Sequence, residues 1–319
     1  MALGRFFRLS FFVLCVVLLN QWQVAAQKSK QPAPLPASPG QLGDSHSPKP
    51  APAYPEFEHL QDLATRLLHH ADKAGCHKGE CTILVMSFVF PDGRTSPYGV
   101  QLADELSSEI AKQEKSVQLI GRPLLQSLLQ HERIPSQLQS SEPVARWLGK
   151  SLNATVVLMG TTNRVEKDSL QLSAHLLSVT DAKQHGPTAE VSFFANEETA
   201  DLTPTDGLPA LPTITSTANG ERLYNVVRGN GVSPPSCFYM PNPSYTEEAR
   251  KAKFSGTILE EGIVRVDGTV EPVRIVRGAP FGLNEKALSC LVAWKCHPAT
   301  YDGKAVPTRV GFEVNFRLY

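Results

Sequence analysis

The first side chains that could do chemistry lie between His69 and Cys81: His69, His70, Cys76, His77 and Cys81, in the run HHADKAGCHKGEC. Imidazoles and thiolates bind transition metals, but structural zinc sites space their ligands in patterns that this run lacks. Both cysteines sit in one Gly-containing loop, which suits a local Cys76–Cys81 disulfide; pairing elsewhere and a metal site are the alternatives. No metal and no cofactor is expected. Asp104 and Glu105 are adjacent carboxylates on a helical stretch, where solvated or capping charges are the ordinary role. PDGRTSPYG carries Gly93 and Gly99 but neither a Walker lysine nor dinucleotide-binding spacing. There is no Ser/His/Asp order and no nucleophile elbow, so the expectation is a protein without enzymatic activity.

The elements around these residues say more. Arg5 and Arg8 precede an apolar run from Leu9 to Leu19, and Val24, Ala25 and Ala26 offer small residues before Gln27. This is the order of a secretory signal peptide, residues 1–26; left uncleaved it would be an inner-membrane anchor. Removing it takes Cys15 and leaves Cys76, Cys81, Cys237, Cys290 and Cys296 as disulfide candidates in an oxidising compartment. Their odd number leaves one thiol free or intermolecular. Lys+Arg 31 balances Asp+Glu 31, which removes the basic field that nucleic-acid binding requires.

Residues 27–55 are dense in Pro, Ala and Ser and read as an extended linker. Residues 56–200 read as an α/β domain, a mixed open sheet with helices. A helix begins at Glu56, and the continuous apolar run Thr82–Phe90 is a strand covered on both faces. Further helices fall at about 98–113, 124–131 and 142–152, with strands at 117–120, 154–160, 170–176 and 190–194. Residues 201–232, including TPTDGLPALPTITSTANG, have no apolar period and read as a second linker. Residues 233–319 read as a small α+β unit. Its helix is capped by Thr246, Asp267-Gly268 turns a hairpin, Asn284 caps a second helix, and a long strand closes the chain. From Val306 to Tyr319 that strand alternates apolar and polar positions.

The blocks ILVMSF, GVQLADELSSEI, VQLIGRPLLQSLL and VARWLGKSLNATVVLMGTT, in that order, resemble the small α/β domain of the FlgO, CsgG and TolB amino-terminal group of bacterial envelope proteins. The resemblance implies a periplasmic binding or assembly module. A second resemblance covers residues 235–319. Pro243, Tyr245, Ala249, Gly256, Asp267, Gly268, Leu283, Ala287, Trp294, Pro298, Ala299, Gly303 and Phe316 look like the TonB carboxy-terminal domain. It departs from the family at Thr246, where Pro usually follows the Tyr, and at Cys296, where an aromatic usually follows Trp-Lys. Alongside it we expect one disulfide from Cys237 to Cys290 or Cys296.

That resemblance implies a mechanism. TonB domains take up an extended segment of an outer-membrane receptor at a sheet edge, by main-chain pairing. The expected interface is the final strand, with Arg309, Gly311, Glu313, Asn315 and Arg317 on its outward side, and Asn242 near the receptor segment. The implied partner is an outer-membrane receptor or another envelope protein, in the periplasm, in support of energised transport. The alternative is a periplasmic assembly or scaffold protein that binds proteins or peptidoglycan; a second copy of the chain is a further partner this reading allows, and nucleic acid is not.

Overall fold

The structure is a computed structural model. It describes residues 56–318 apart from 70, 78, 80, 167–168, 183–184, 187, 196–199 and 228. The expected signal peptide, the first linker and His70 lie outside the described residues.

The first unit runs α1 (Glu56–His69), β1 (Cys81–Val85), α2 (Pro97–Gln113), β2 (Val117–Leu119), α3 (Arg122–Glu132), α4 (Ser136–Gln139), α5 (Glu142–Ser151), β3 (Val156–Glu166), β4 (Ser169–Ser178) and β5 (Ala189–Phe194). Its sheet has the order β2-β1-β3-β4-β5; β1 is parallel to both neighbours, and β4 is antiparallel to both β3 and β5. Helix α2 starts where Ser96 accepts a hydrogen bond from the Gly99 N–H and proline occupies the first turn, where a missing N–H costs nothing. Leu102, Leu106 and Ile110 of α2, with Leu60, Leu63 and Leu67 of α1, cover Ile83, Val85, Val156 and Leu158 on one face. The other face carries Leu84, Met86, Val157 and Met159, and meets Leu125, Val144 and Leu148. Coverage on both faces explains why β1 reads as an unbroken apolar run.

The second unit contains β6 (Tyr224–Asn225), β7 (Val232–Ser233), β8 (Ser236–Tyr239), α6 (Glu247–Lys251), β9 (Gly256–Val264), β10 (Val270–Arg277), α7 (Leu283–Val292), β11 (Lys295–His297), β12 (Ala299–Tyr301), β13 (Lys304–Val306) and β14 (Thr308–Phe316). Its main sheet has the order β10-β9-β14-β6, beside a β11-β8 pair and a β13-β12-β7 sheet. Thr246 caps α6 as expected, accepting from the Ala249 N–H, while the helix itself is only five residues long. At the β9–β10 hairpin Gly268 has φ +81, and a Cβ there would lie 2.2 Å from the Cys296 carbonyl oxygen. Glycine is therefore required both for its backbone conformation and for space.

Two local expectations are corrected. Asn284 does not cap α7; Gly282 occupies that position, and the Asn284 side chain accepts from the Ala279 N–H and donates to the Glu132 carbonyl. The closing strand is not continuous from Val306. Pro307 has no N–H to donate and separates β13, paired with β12, from β14, paired with β9.

Ala249, Ile258, Phe281, Leu283, Ala287, Val314 and Phe316 of the second unit belong to the same apolar core as α3, α5 and the second face of the first sheet. Trp147 of α5 meets Phe281 edge-on at 5.9 Å. At the junction the Gly278 N–H donates to the Arg133 carbonyl, and a Cβ on Gly278 would sit 2.0 Å from the Glu132 carbonyl oxygen. The segment between the units is no slack linker over its described residues. Thr95 and Thr205 exchange backbone hydrogen bonds, and Arg133 donates to the Pro209 carbonyl and Arg274 to the Pro212 carbonyl.

Candidate functional site

Along one side β14 is fully paired with β9, Thr308 opposite Val264 through Phe316 opposite Gly256. Along its other side it meets β6 in parallel at two positions, Thr308 with Tyr224 and Arg309 with Asn225. Past Arg309 no strand among the described residues pairs with that side. The Tyr224 N–H donates to the Pro307 carbonyl at 3.0 Å, which fixes the phase of the strand. Backbone polar groups alternate sides along a strand, so the N–H and C=O of Gly311, Glu313 and Asn315 point to the open edge. The same odd-numbered side chains lie on the outer sheet face, opposite the buried Phe312, Val314 and Phe316.

A cleft of about 1240 Å³ runs along this edge and over the outer face. Its floor includes Leu259, Glu261 and Arg274; Val310, Gly311 and Glu313 form the edge; Leu208–Leu211 and Pro234–Pro235 supply walls. In the floor, the Glu261 carboxylate lies 2.5 Å from Arg274 Nη2 and 3.1 Å from Arg309 Nη1. One acid held by two guanidiniums is rigid, because arginine presents a planar fork of donors.

The expected interface residues divide accordingly. Gly311 and Glu313 line the cleft beside the open edge. Asn315 accepts from Thr257 Oγ1 at 2.6 Å in an exposed cross-strand pair, and Arg317 is exposed beyond the strand end. Arg309 is committed elsewhere: its Nε donates to Asn225 Oδ1, its guanidinium pairs with Glu261, and its backbone faces β6. Asn242 is exposed before α6 and is not among the cleft-lining residues. Tyr245 and Trp294 are packing residues. Tyr245 stacks edge-on with Phe316 and donates its hydroxyl to the Phe254 carbonyl; Trp294 stacks edge-on with Phe312.

Sequence reading missed Glu260. It sits on the inner face of β9 between Ile258 and Val264, with no exposed surface. Neither carboxylate oxygen has a hydrogen-bond partner among the described residues. Burial pushes the Glu260 carboxyl up to about 7. The signal was in the alternation: an acid at an inward position of a strand. Cys290 on α7 is buried nearby, its thiol donating to the Pro241 carbonyl at 3.0 Å; burial pushes that thiol up, against a hydrogen bond with Trp294 that pulls it down and with a smaller push from the Glu260 charge.

The cysteines pair as Cys76–Cys81 and Cys237–Cys296, leaving Cys290 as the free thiol among the described residues. The second bridge ties β8 to β11 across their ladder. His69, Cys76, His77 and Cys81 border a cavity of about 410 Å³, but a sulfur bonded to its partner is no metal ligand. Among the described residues no group of three or more His, Cys, Asp or Glu is placed to hold a metal ion. Asp104 pairs with Arg122, and Glu105 accepts from Gln101. No helix among them is long and apolar enough to cross a membrane.

With this geometry in place, the comparisons give the class of the second unit. Residues 241–318 match the family model described as the Gram-negative bacterial TonB protein C-terminal, and they form a TonB C-terminal-type domain. Similar solved structures include the LpoB C-terminal domain from Salmonella enterica, at 17% identity over 44% of this chain and 99% of that one, TM-score 0.36. They also include lipoprotein GNA1162 from Neisseria meningitidis, at 10% identity over 38% and 85%, TM-score 0.30. The Pseudomonas aeruginosa TonB CTD matches at 14% identity over 30% and 94%, TM-score 0.24. No curated protein matches the chain.

Proposed function

We propose that this chain is a non-enzymatic periplasmic envelope protein that binds an extended segment of an outer-membrane receptor by adding it as a strand to β14, in support of transport across the outer membrane. The observation that carries the reading is the unpaired side of β14 past Arg309, within a domain that matches the TonB C-terminal model. Open edges of long strands are templates for pairing, and proteins ordinarily cover or blunt them. Here the edge borders a cleft of about 1240 Å³, where alternate side chains of an added strand would lie. The test is photo-crosslinking in cells from position 313 or 315, with the product identified by mass spectrometry. A product with the periplasmic amino-terminal segment of an outer-membrane barrel supports the reading. Products with the chain itself or with assembly factors alone refute it.

A second reading is favoured by the apolar core that joins the two units. A force transducer needs its receptor-binding domain at the end of a slack tether, whereas here that domain is packed against the α/β unit. This suits an assembly or scaffold protein, with the α/β unit acting as the envelope-binding module that its resemblance implies. Peptidoglycan or a second copy of the chain then replaces the receptor as partner.

A further inference from the structure

Strand β6 occupies the first two positions of the edge that a partner strand would use. Its grip is short: a parallel ladder of two positions, with the Tyr224 N–H donating to the Pro307 carbonyl at 3.0 Å and the Arg309 side chain donating to Asn225 at 3.1 Å. It is held in place from behind. Leu223 is buried and its N–H donates to the Thr215 carbonyl, Arg222 lies over the Tyr224 ring at 5.3 Å, and Tyr224 packs on Tyr301 at 5.5 Å. Immediately beyond, pairing stops. Val226 and Val227 line the cleft beside Val310 and Gly311 yet are 44% and 59% exposed. Two adjacent β-branched side chains left in water beside an unpaired strand mark a ladder that ends early, since both have high strand propensity.

We propose that residues 222–227 are an intramolecular guard strand, which shortens the open edge of β14 and is displaced when a partner pairs along the whole of it. The proposal rests on the strand-addition reading and adds its regulation. With β6 in place a partner has only Val310 to Phe316, seven residues or roughly 23 Å of strand. With β6 released it gains Thr308 and Arg309. The guard thus sets a threshold: segments too weak to displace it pair over the short register alone.

The test uses the guard's own sequence as the probe. A fluorescent synthetic peptide copying residues 220–227 is titrated against the mature chain and against its Tyr224→Pro variant. Proline at 224 removes the N–H that Pro307 accepts, so the guard loses its backbone anchor. The variant is expected to bind the peptide at least tenfold more tightly than the unaltered chain. In hydrogen exchange the Arg309 amide should become as fast as those of Gly311 and Glu313, while β9 amides stay slow and report an intact fold. Asn225→Ala, which removes only the contact to Arg309, should give a smaller change in the same direction. Equal binding by variant and unaltered chain, or none by either, overturns the guard. Failure of receptor crosslinking from position 313 overturns the receptor reading instead, so the two outcomes are separable.

Discussion

Glu260 gives the sharpest quantitative prediction. The side chain is wholly buried, its oxygens lack hydrogen-bond partners among the described residues, and burial pushes its carboxyl to about 7 from 4.5. Between those values the folded chain keeps a proton that the unfolded chain has released. The unfolded state therefore binds fewer protons, and stability falls as pH rises through this window. The cost is about 1 kcal/mol at pH 5 and about 3 kcal/mol at pH 8, where it has reached its full value. Glu260→Gln keeps the shape and mimics the protonated acid at every pH, so it removes the slope and leaves the rest of the profile. Urea unfolding followed by tryptophan fluorescence at pH 5, 6, 7 and 8 measures the difference. The Gln variant should be more stable by about 1 kcal/mol at pH 5, and the gap should widen to about 3 kcal/mol at pH 8. The neighbouring Cys290 thiol is pushed above its ordinary range and titrates outside the window. Parallel profiles, or a Gln variant that is the less stable at pH 8, would refute the argument that an unpartnered carboxyl sits in this core.

Three further outcomes follow from the same geometry. Replacing Cys237 and Cys296 together by Ser opens a bridge spanning 59 positions; chain entropy puts the loss near 4 kcal/mol, read as a lower denaturant midpoint under non-reducing conditions. Gly268→Ala forces a Cβ toward the Cys296 carbonyl at a positive φ, so it should lower stability by about 2 kcal/mol or more, measured by thermal unfolding. Phe281→Ala empties a position shared by both units and should cost about 3–5 kcal/mol. Hydrogen exchange should then show faster opening in α5 as well as α7; a change confined to α7 would mean the two units unfold independently.

Much of the fold was legible because burial wrote it into local patterns. The apolar run at β1 and the strict alternation at β14 announce two covered faces and one, respectively. Thr246 and Asp267-Gly268 carry their turn and cap chemistry in their own side chains and φ preference. The short strands β8, β11, β12 and β13 were not legible, because they exist through distant partners: Cys237 held to Cys296, Ala299 opposite Val306. The segment near 205–213 read as slack because its anchors are arginine-to-carbonyl bonds from Arg133 and Arg274, which leave no apolar period behind. Asn284 followed the capping pattern, yet the chain turns into α7 at Gly282, freeing Asn284 to bind Glu132 across the junction. At the site, the outward positions 311, 313 and 315 were legible from alternation. The commitment of Arg309 was not, since Glu261 and Asn225 reach it only through tertiary structure.

The shared core also decides how this molecule bears a load. A segment paired along β14 and drawn along its own axis would pull the strand in shear against β9, loading the whole ladder from Thr308 to Phe316 at once instead of peeling it one bond at a time. At the far end of that strand Phe316 is fixed among side chains contributed by both units. Tension entering at the sheet edge therefore reaches the α/β unit directly, without first taking up slack, and the two units act as a single anchor.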